Sequence, residues 1–155
     1  VCAGFQLTEA KERRRHRDAV KSLARALAAE IKAATDRYER AVGRHIQGVP
    51  EGQALDMSAW RAYGQYFAVY LANCGRIGEL PERAMERLVV FVEEATGHLE
   101  GLNNYAEACR RLKEYDPTWL WHGMLVEWFR ETLKPEYELL RRQADEVLRE
   151  LKAAG

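Results

Sequence analysis

Cysteine is scarce in this chain of 155 residues: Cys2, Cys74 and Cys109 are far apart and odd in number. No CxxC pair occurs, which argues against a zinc knuckle or a thioredoxin-like dithiol and fits a reducing compartment; a Cys74–Cys109 bridge stays open. No stretch approaches the ~20 consecutive apolar residues that span a bilayer. Neither charge sign is in excess. Lysine plus arginine number 24, aspartate plus glutamate 24, whereas a dedicated nucleic-acid binder usually shows a basic surplus. Alternating Val/Ile/Thr runs are absent, which removes the usual signal for strands. There is no GxSxG, no Cys–His nucleophile signature and no phosphate loop. GRIG at 75–78 is too short for one and is followed by Leu-Pro-Glu instead of Gly-Lys-Ser/Thr. Repeats and low-complexity tracts are missing as well.

The length suits one domain with one sizeable core. Hydrophobic residues at 47% and charged residues at 31% suit a highly helical globular chain. Charge is unevenly placed: Lys11–Arg17 sums to +4, so the remainder of the chain sums to −4. Before this cluster stands VCAGF, a short apolar start that reads either as the end of a removed segment or as a frayed chain end.

A first helix is predicted from about Thr8 to Gln47. Val20, Ala24, Leu27, Ile31, Ala34, Tyr38 and Ala41 follow a 4-3-4-3-4-3 spacing, a heptad-like seam. The seam starts only at Val20, so the basic segment has no apolar face to bury. The helix should therefore project beyond the bundle at its N-terminus. Forty helical residues would reach about 60 Å.

GVPEGQALD, 48–56, reads as a loop. Asp56 or Ser58 can cap a second helix through MSAWRAYGQYFAVYLANCG, with Gly75 as a left-handed terminator and Ile77 as its hydrophobic contact. Pro81 suits the first position of a third helix, whose apolar residues run from Met85 to Leu112 and which should bend near Gly97, Gly101 and Asn103–Asn104. Asp116-Pro117 signals a restart. The last helix should kink at Pro135 and continue with a seam of Tyr137, Leu140, Ala144, Val147 and Leu151. The predicted fold is all-α, an antiparallel bundle of about four long helices. The expected organisation is a basic segment over 1–17 and a bundle domain over 18–155.

Chemistry is thinly signalled. His16, His45, His98 and His122 are scattered. Glu94 and His98 are four apart, with no second copy of the carboxylate–histidine pair that di-iron bundles need. His122 and Glu127 fall on different faces. Glu93 and Glu94 are adjacent and diverge by about 100°. Each histidine reads best as satisfied or superficial, and no catalytic residue, metal or cofactor is expected. The aromatics stand out more. Tyr63, Tyr66, Phe67 and Tyr70 share one helical face, and Trp119, Trp121, Trp128 and Phe129 crowd the last helix. They read first as core. The functional alternative is a groove for a partner helix or an apolar ligand, formed by Tyr63, Tyr66, Tyr70, Trp119, His122 and Trp128.

The stretch Tyr66–Leu102 resembles a family of small uncharacterised bacterial membrane-anchored helical proteins. The residues that carry the likeness are Phe67, Val69, Tyr70, the Ala72-Asn73 pair, Ile77, Gly78, Leu80-Pro81, and the helix centre Val89, Val90 and Phe91. ALAAEIKA, 26–33, resembles the helix that follows the anchor in that group. Gly75 and Glu79 depart from the pattern. The resemblance implies an N-terminal single-pass anchor and no known activity.

Basic residues within about 15–20 residues of a span stay on the cytoplasmic side. Lys11, Arg13, Arg14, Arg15 and Arg17 are therefore expected to meet an anionic membrane surface. The functional expectation is a non-enzymatic interaction domain, tethered to the cytoplasmic face of a bacterial inner membrane and working through a protein partner or through self-association along Val20–Ala41. A freely cytoplasmic protein is the alternative location. A small-ligand bundle is the alternative function, followed by nucleic-acid binding through the Lys11–Arg17 cluster.

Overall fold

The computed structural model describes residues 2–61 and 66–155, with side chains from Glu9 onward. Its helices are α1 (Cys2–Tyr38), α2 (Arg44–Gln47), α3 (Ala68–Ala72), α4 (Glu82–Tyr115), α5 (Gly123–Trp128) and α6 (Lys134–Ala154). Among the described residues there is no strand, and the all-α expectation holds. A π turn, Glu39–Gly43, joins α1 to α2, and a second, Phe129–Leu133, joins α5 to α6.

The three long helices make the frame. Arg83–Glu150 at 3.1 Å, Arg87–Glu146 at 3.0 Å and Gln143–Glu94 at 2.6 Å tie α4 antiparallel to α6. The Arg25 guanidinium donates to the Gly155 carbonyl at 2.9 Å and the Tyr137 hydroxyl to Glu39 at 2.8 Å, which sets α1 antiparallel to α6 too. α1 and α4 therefore run parallel. A short turn cannot join parallel neighbours, so the chain returns along the bundle through residues 48–81.

That return replaces the second long helix expected from the sequence. Among the described residues of 57–75, only Ala68–Ala72 is α-helical. The segment is rich in aromatics, which are poorer helix formers than Ala or Leu. Its two ends also serve different cores. Ala54, Leu55 and Met57 pack with the C-terminal half of α4, whereas Phe67 packs against α1 and the N-terminal half of α4. Gly75 does not terminate a helix in the left-handed region. It lies in the 3-10 turn Cys74–Glu79, and Gly52 (φ 75°) is the one positive-φ glycine among the described residues. Gly52 occupies the third position of the turn closed by Gln53 N–H to the Pro50 carbonyl at 3.2 Å, where a positive φ is required.

Other expectations shift in register. α4 runs unbroken through Gly97 and Gly101. The last long helix starts at Gly123, after Asp116 Oδ1 has accepted from the Thr118 amide and hydroxyl in a capping turn. Pro135 has no N–H for a bond four residues back, and the turn before it widens: the Lys134 amide reaches the Phe129 carbonyl, five residues back. The Glu39–Gly43 π turn likewise turns Val42 inward and leaves the seam residue Ala41 exposed. Cys74 and Cys109 are free thiols, one exposed and one buried, so no bridge links them.

Two apolar clusters fill the bundle. One gathers Leu27, Ile31, Leu88, Val147 and Leu151; the other gathers Val42, Leu102, Leu125, Leu133 and Tyr137. Each fully buried Leu or Ile contributes about 1.5–3 kcal/mol over an exposed one.

α3 has no side-chain cap of its own. Glu30 of α1 supplies one: its carboxylate accepts from the amides of Val69 at 2.6 Å and Tyr70 at 2.9 Å. It thus satisfies helix-start donors that would otherwise lack partners. Glu30→Ala should cost about 1–2 kcal/mol in urea unfolding. It should also speed amide exchange at Val69 and Tyr70; unchanged exchange there would show that the carboxylate does not hold the segment.

Candidate functional site

Two features compete as functional: the basic end of α1 and a polar layer between the two apolar clusters. α1 remains helical from its start, yet every residue from Glu9 to Asp18 is exposed. Lys11, Arg13, Arg14, Arg15 and Arg17 all lie on this stretch, as the late start of the seam predicts. Arg13 is paired with Glu9 one turn back. Gly155, beyond α6, lies against Lys21 and Arg25. About 25 Å of helix, at 1.5 Å per residue over 2–18, precedes that point.

The residues expected to share an aromatic groove do not converge. Tyr66 and Tyr70 pack on the first apolar cluster; Trp119 and Trp128 belong to the second. Trp128 meets the Tyr105 ring edge-on at 5.5 Å, and Lys113 lies 5.6 Å from the centre of the Trp119 ring. Both tryptophans therefore act as packing. His122 precedes α5, with its Nδ1 buried and no hydrogen-bond partner among the described residues. Tyr63 lies outside the described residues.

The polar layer was not anticipated. His98 points into the bundle from α4, between Ala95 and Leu102, and is 3% exposed. Its Nδ1 is 2.8 Å from Glu136 Oε2 on α6, and its Nε2 is 2.7 Å from the Tyr38 hydroxyl on α1. A carboxylate only accepts, so Nδ1 carries the proton and donates to Glu136. Nε2 is then a lone pair, and Tyr38 donates to it. Glu94, four residues before His98, is engaged instead with Gln143. Beside this chain Tyr137 donates to Glu39 at 2.8 Å, while the Gln47 amide donates to the Tyr137 hydroxyl at 3.3 Å. Gly43 leaves room here: a Cβ there would displace the Glu39 carboxylate and lie 3.0 Å from the Tyr137 ring.

Burial dominates the electrostatics. It holds the His98 imidazole below its ordinary pKa, and Glu136 only partly offsets this. Burial also raises the Tyr38 hydroxyl, with Tyr137 and Glu39 adding to the effect. Burial, together with the hydrogen bond to Glu39, pushes Tyr137 up to about 12. All three groups stay neutral near pH 7.

Between α1, α4 and α6 a cavity of about 50 Å³ opens against this layer. Its walls are largely apolar, among them Ala34, Phe91, Ala95 and Ala144, and the polar residues that line it are Thr35, Tyr38, Glu39, His98, Tyr137 and Arg141. Tyr66 also lines it, the one groove candidate among the described residues that does. Among the described residues no group of three or more His, Cys, Asp or Glu is placed to hold a metal ion.

The only sequence signal for the layer was His98 itself, standing in the buried stripe of α4 where an apolar residue would be expected. Its partner Glu136 lies on another helix, beyond the reach of any spacing rule. Comparison with family models, curated proteins and solved structures finds no match for this chain.

Stability should depend on His98 with a defined sign. The unfolded histidine titrates near 6.5 and the folded one lower. Its contribution is thus complete above 6.5 and falls as pH drops towards the folded value. His98→Leu should remove this pH-dependent part and cost about 1–3 kcal/mol by orphaning the Tyr38 hydroxyl. Adding Tyr38→Phe should recover much of that cost. Additive losses in the double variant would mean the two residues do not share a bond.

Proposed function

We propose that this chain is a non-enzymatic helical interaction domain held at an anionic membrane surface by the projecting end of α1. In this reading it works at the cytoplasmic face of a bacterial membrane through a protein partner. The observation that carries the reading is the unpacked basic end: helical, fully exposed over Glu9–Asp18, with +4 between Lys11 and Arg17. A cationic helix standing clear of its own bundle can lie along headgroups without disturbing the core, and each cation near such a surface contributes about 1 kcal/mol. Among the described residues no helix is long and apolar enough to cross a membrane. The interior chemistry agrees with a non-enzymatic role. The Tyr38 hydroxyl is used on His98, the His98 ring proton on Glu136 and the Tyr137 hydroxyl on Glu39.

The nucleic-acid alternative draws on the same arginines, and one experiment separates the two. The protein should float with phosphatidylglycerol vesicles at low salt and not with phosphatidylcholine vesicles. Flotation should weaken steeply with salt. Arg13→Glu with Arg15→Glu should reduce binding by at least roughly tenfold without lowering the unfolding midpoint. No flotation, together with retention on DNA or RNA that the same substitutions abolish, would transfer the cluster to nucleic acid.

A further inference from the structure

Each long helix presents an alanine to the cavity beside the polar layer: Ala34 from α1, Ala95 from α4 and Ala144 from α6. The space exists because these side chains are short where longer ones would close it. Phe67 and Phe91 add aromatic wall, and almost all of the surface that faces the space is carbon. The polar groups around it are engaged elsewhere. The Thr35 hydroxyl donates to the Ile31 carbonyl at 2.7 Å, Tyr38 to His98 Nε2, His98 to Glu136 and Tyr137 to Glu39. Arg141 is exposed, with its guanidinium 5.6 Å from the centre of the Tyr137 ring. Arg141 and Glu39 carry opposite charges, so the lining favours neither an anion nor a cation.

A cavity of about 50 Å³ is several times what one water needs and well below the roughly 150 Å³ that takes benzene. Water held in a protein needs about two to four polar partners, and these walls offer almost none. A polar or charged ligand would give up its hydration to the same walls without replacement. A hydrocarbon group has no such loss and gains contact with the alanines and phenylalanines. We propose that this cavity is a binding site for a small neutral apolar ligand, an aliphatic group of roughly three carbons. Among the described residues the site shares only Tyr66 with the aromatic groove expected from the sequence. It is independent of the basic end of α1.

The test is a titration of the whole chain with propane under pressure, followed by carbon-13 NMR of the alanine methyl groups. Ethanol and ethylammonium match propane in heavy atoms and serve as its polar and cationic counterparts. Binding should be no tighter than about 0.5 mM, the ceiling on affinity for so few heavy atoms. Propane should shift Ala34, Ala95 and Ala144 together along one saturation curve. Ethanol and ethylammonium should bind at least about tenfold more weakly. Ala95→Leu extends a side chain into the space and should abolish the propane response at Ala34 and Ala144. Ala153→Leu, at an exposed position of α6, should leave that response unchanged. If Ala95→Leu does not fold, Leu140→Ala carries the test: it widens the cavity, so benzene should bind it at least about threefold more tightly than the parent. Ethanol binding as tightly as propane would overturn the proposal, as would methyl signals that never saturate. So would a propane response that survives in folded Ala95→Leu, or benzene bound no more tightly by Leu140→Ala than by the parent.

Discussion

His98 is the one polar side chain among the described residues buried like the core leucines, and both of its nitrogens are engaged by other helices. The apolar seams of α1, α4 and α6 mix small alanines such as Ala24, Ala84 and Ala144 with larger side chains. Surface pairs such as Arg87–Glu146 are too exposed to set the register, since exposed ion pairs contribute about 0–1 kcal/mol. A desolvated imidazole differs. If α1 or α6 slid by one turn, an acceptor or a donor would be left unpaired in the interior, at about 1–3 kcal/mol each. The hydrogen bonds Tyr38–His98–Glu136 thus fix three helices with one side chain.

The backbone irregularities serve the same layer. Both π turns lie beside it, Glu39–Gly43 on one side and Phe129–Leu133 just before Glu136 and Tyr137 on the other. Each inserts a residue and rotates the helix beyond it. The first lets adjacent residues Tyr38 and Glu39 both face the interior, and Gly43 keeps the room that Glu39 and Tyr137 need. Pro135 makes the second unavoidable, since a proline cannot donate into a regular turn. What looked like a kink signal in the sequence is better understood as the device that presents Glu136 and Tyr137 together. The long return through residues 48–81 follows from the same arrangement, because α1 and α4 both lie antiparallel to α6.

Features governed by periodicity could be read from the sequence alone. The seams of α1 and α6, the all-α class and the projecting basic end all follow from where apolar residues recur and where they stop. The second helix is shorter than its spacing suggests because Tyr66, Phe67 and Tyr70 carry helical spacing while contacts far along the chain decide the backbone: Glu30 captures the Val69 and Tyr70 amides, and Leu55 and Met57 are held by the C-terminal half of α4. Four of the positions expected to form a groove are divided between two cores, Tyr66 and Tyr70 in one, Trp119 and Trp128 in the other. The polar layer stayed hidden because its bonds join residues 38 to 98 apart in sequence. Only the misplaced histidine in an apolar stripe betrayed it.

The central claim is that His98 is a neutral imidazole, protonated on Nδ1 and accepting at Nε2, which joins α1, α4 and α6. Nitrogen-15 spectra of the histidine-labelled protein test this directly. The account predicts that His98 keeps the Nδ1-protonated neutral pattern from alkaline pH to below 6.5, the value at which an unburied histidine half-titrates. A proton found on Nε2, or a half-titration at 6.5 itself, would contradict it.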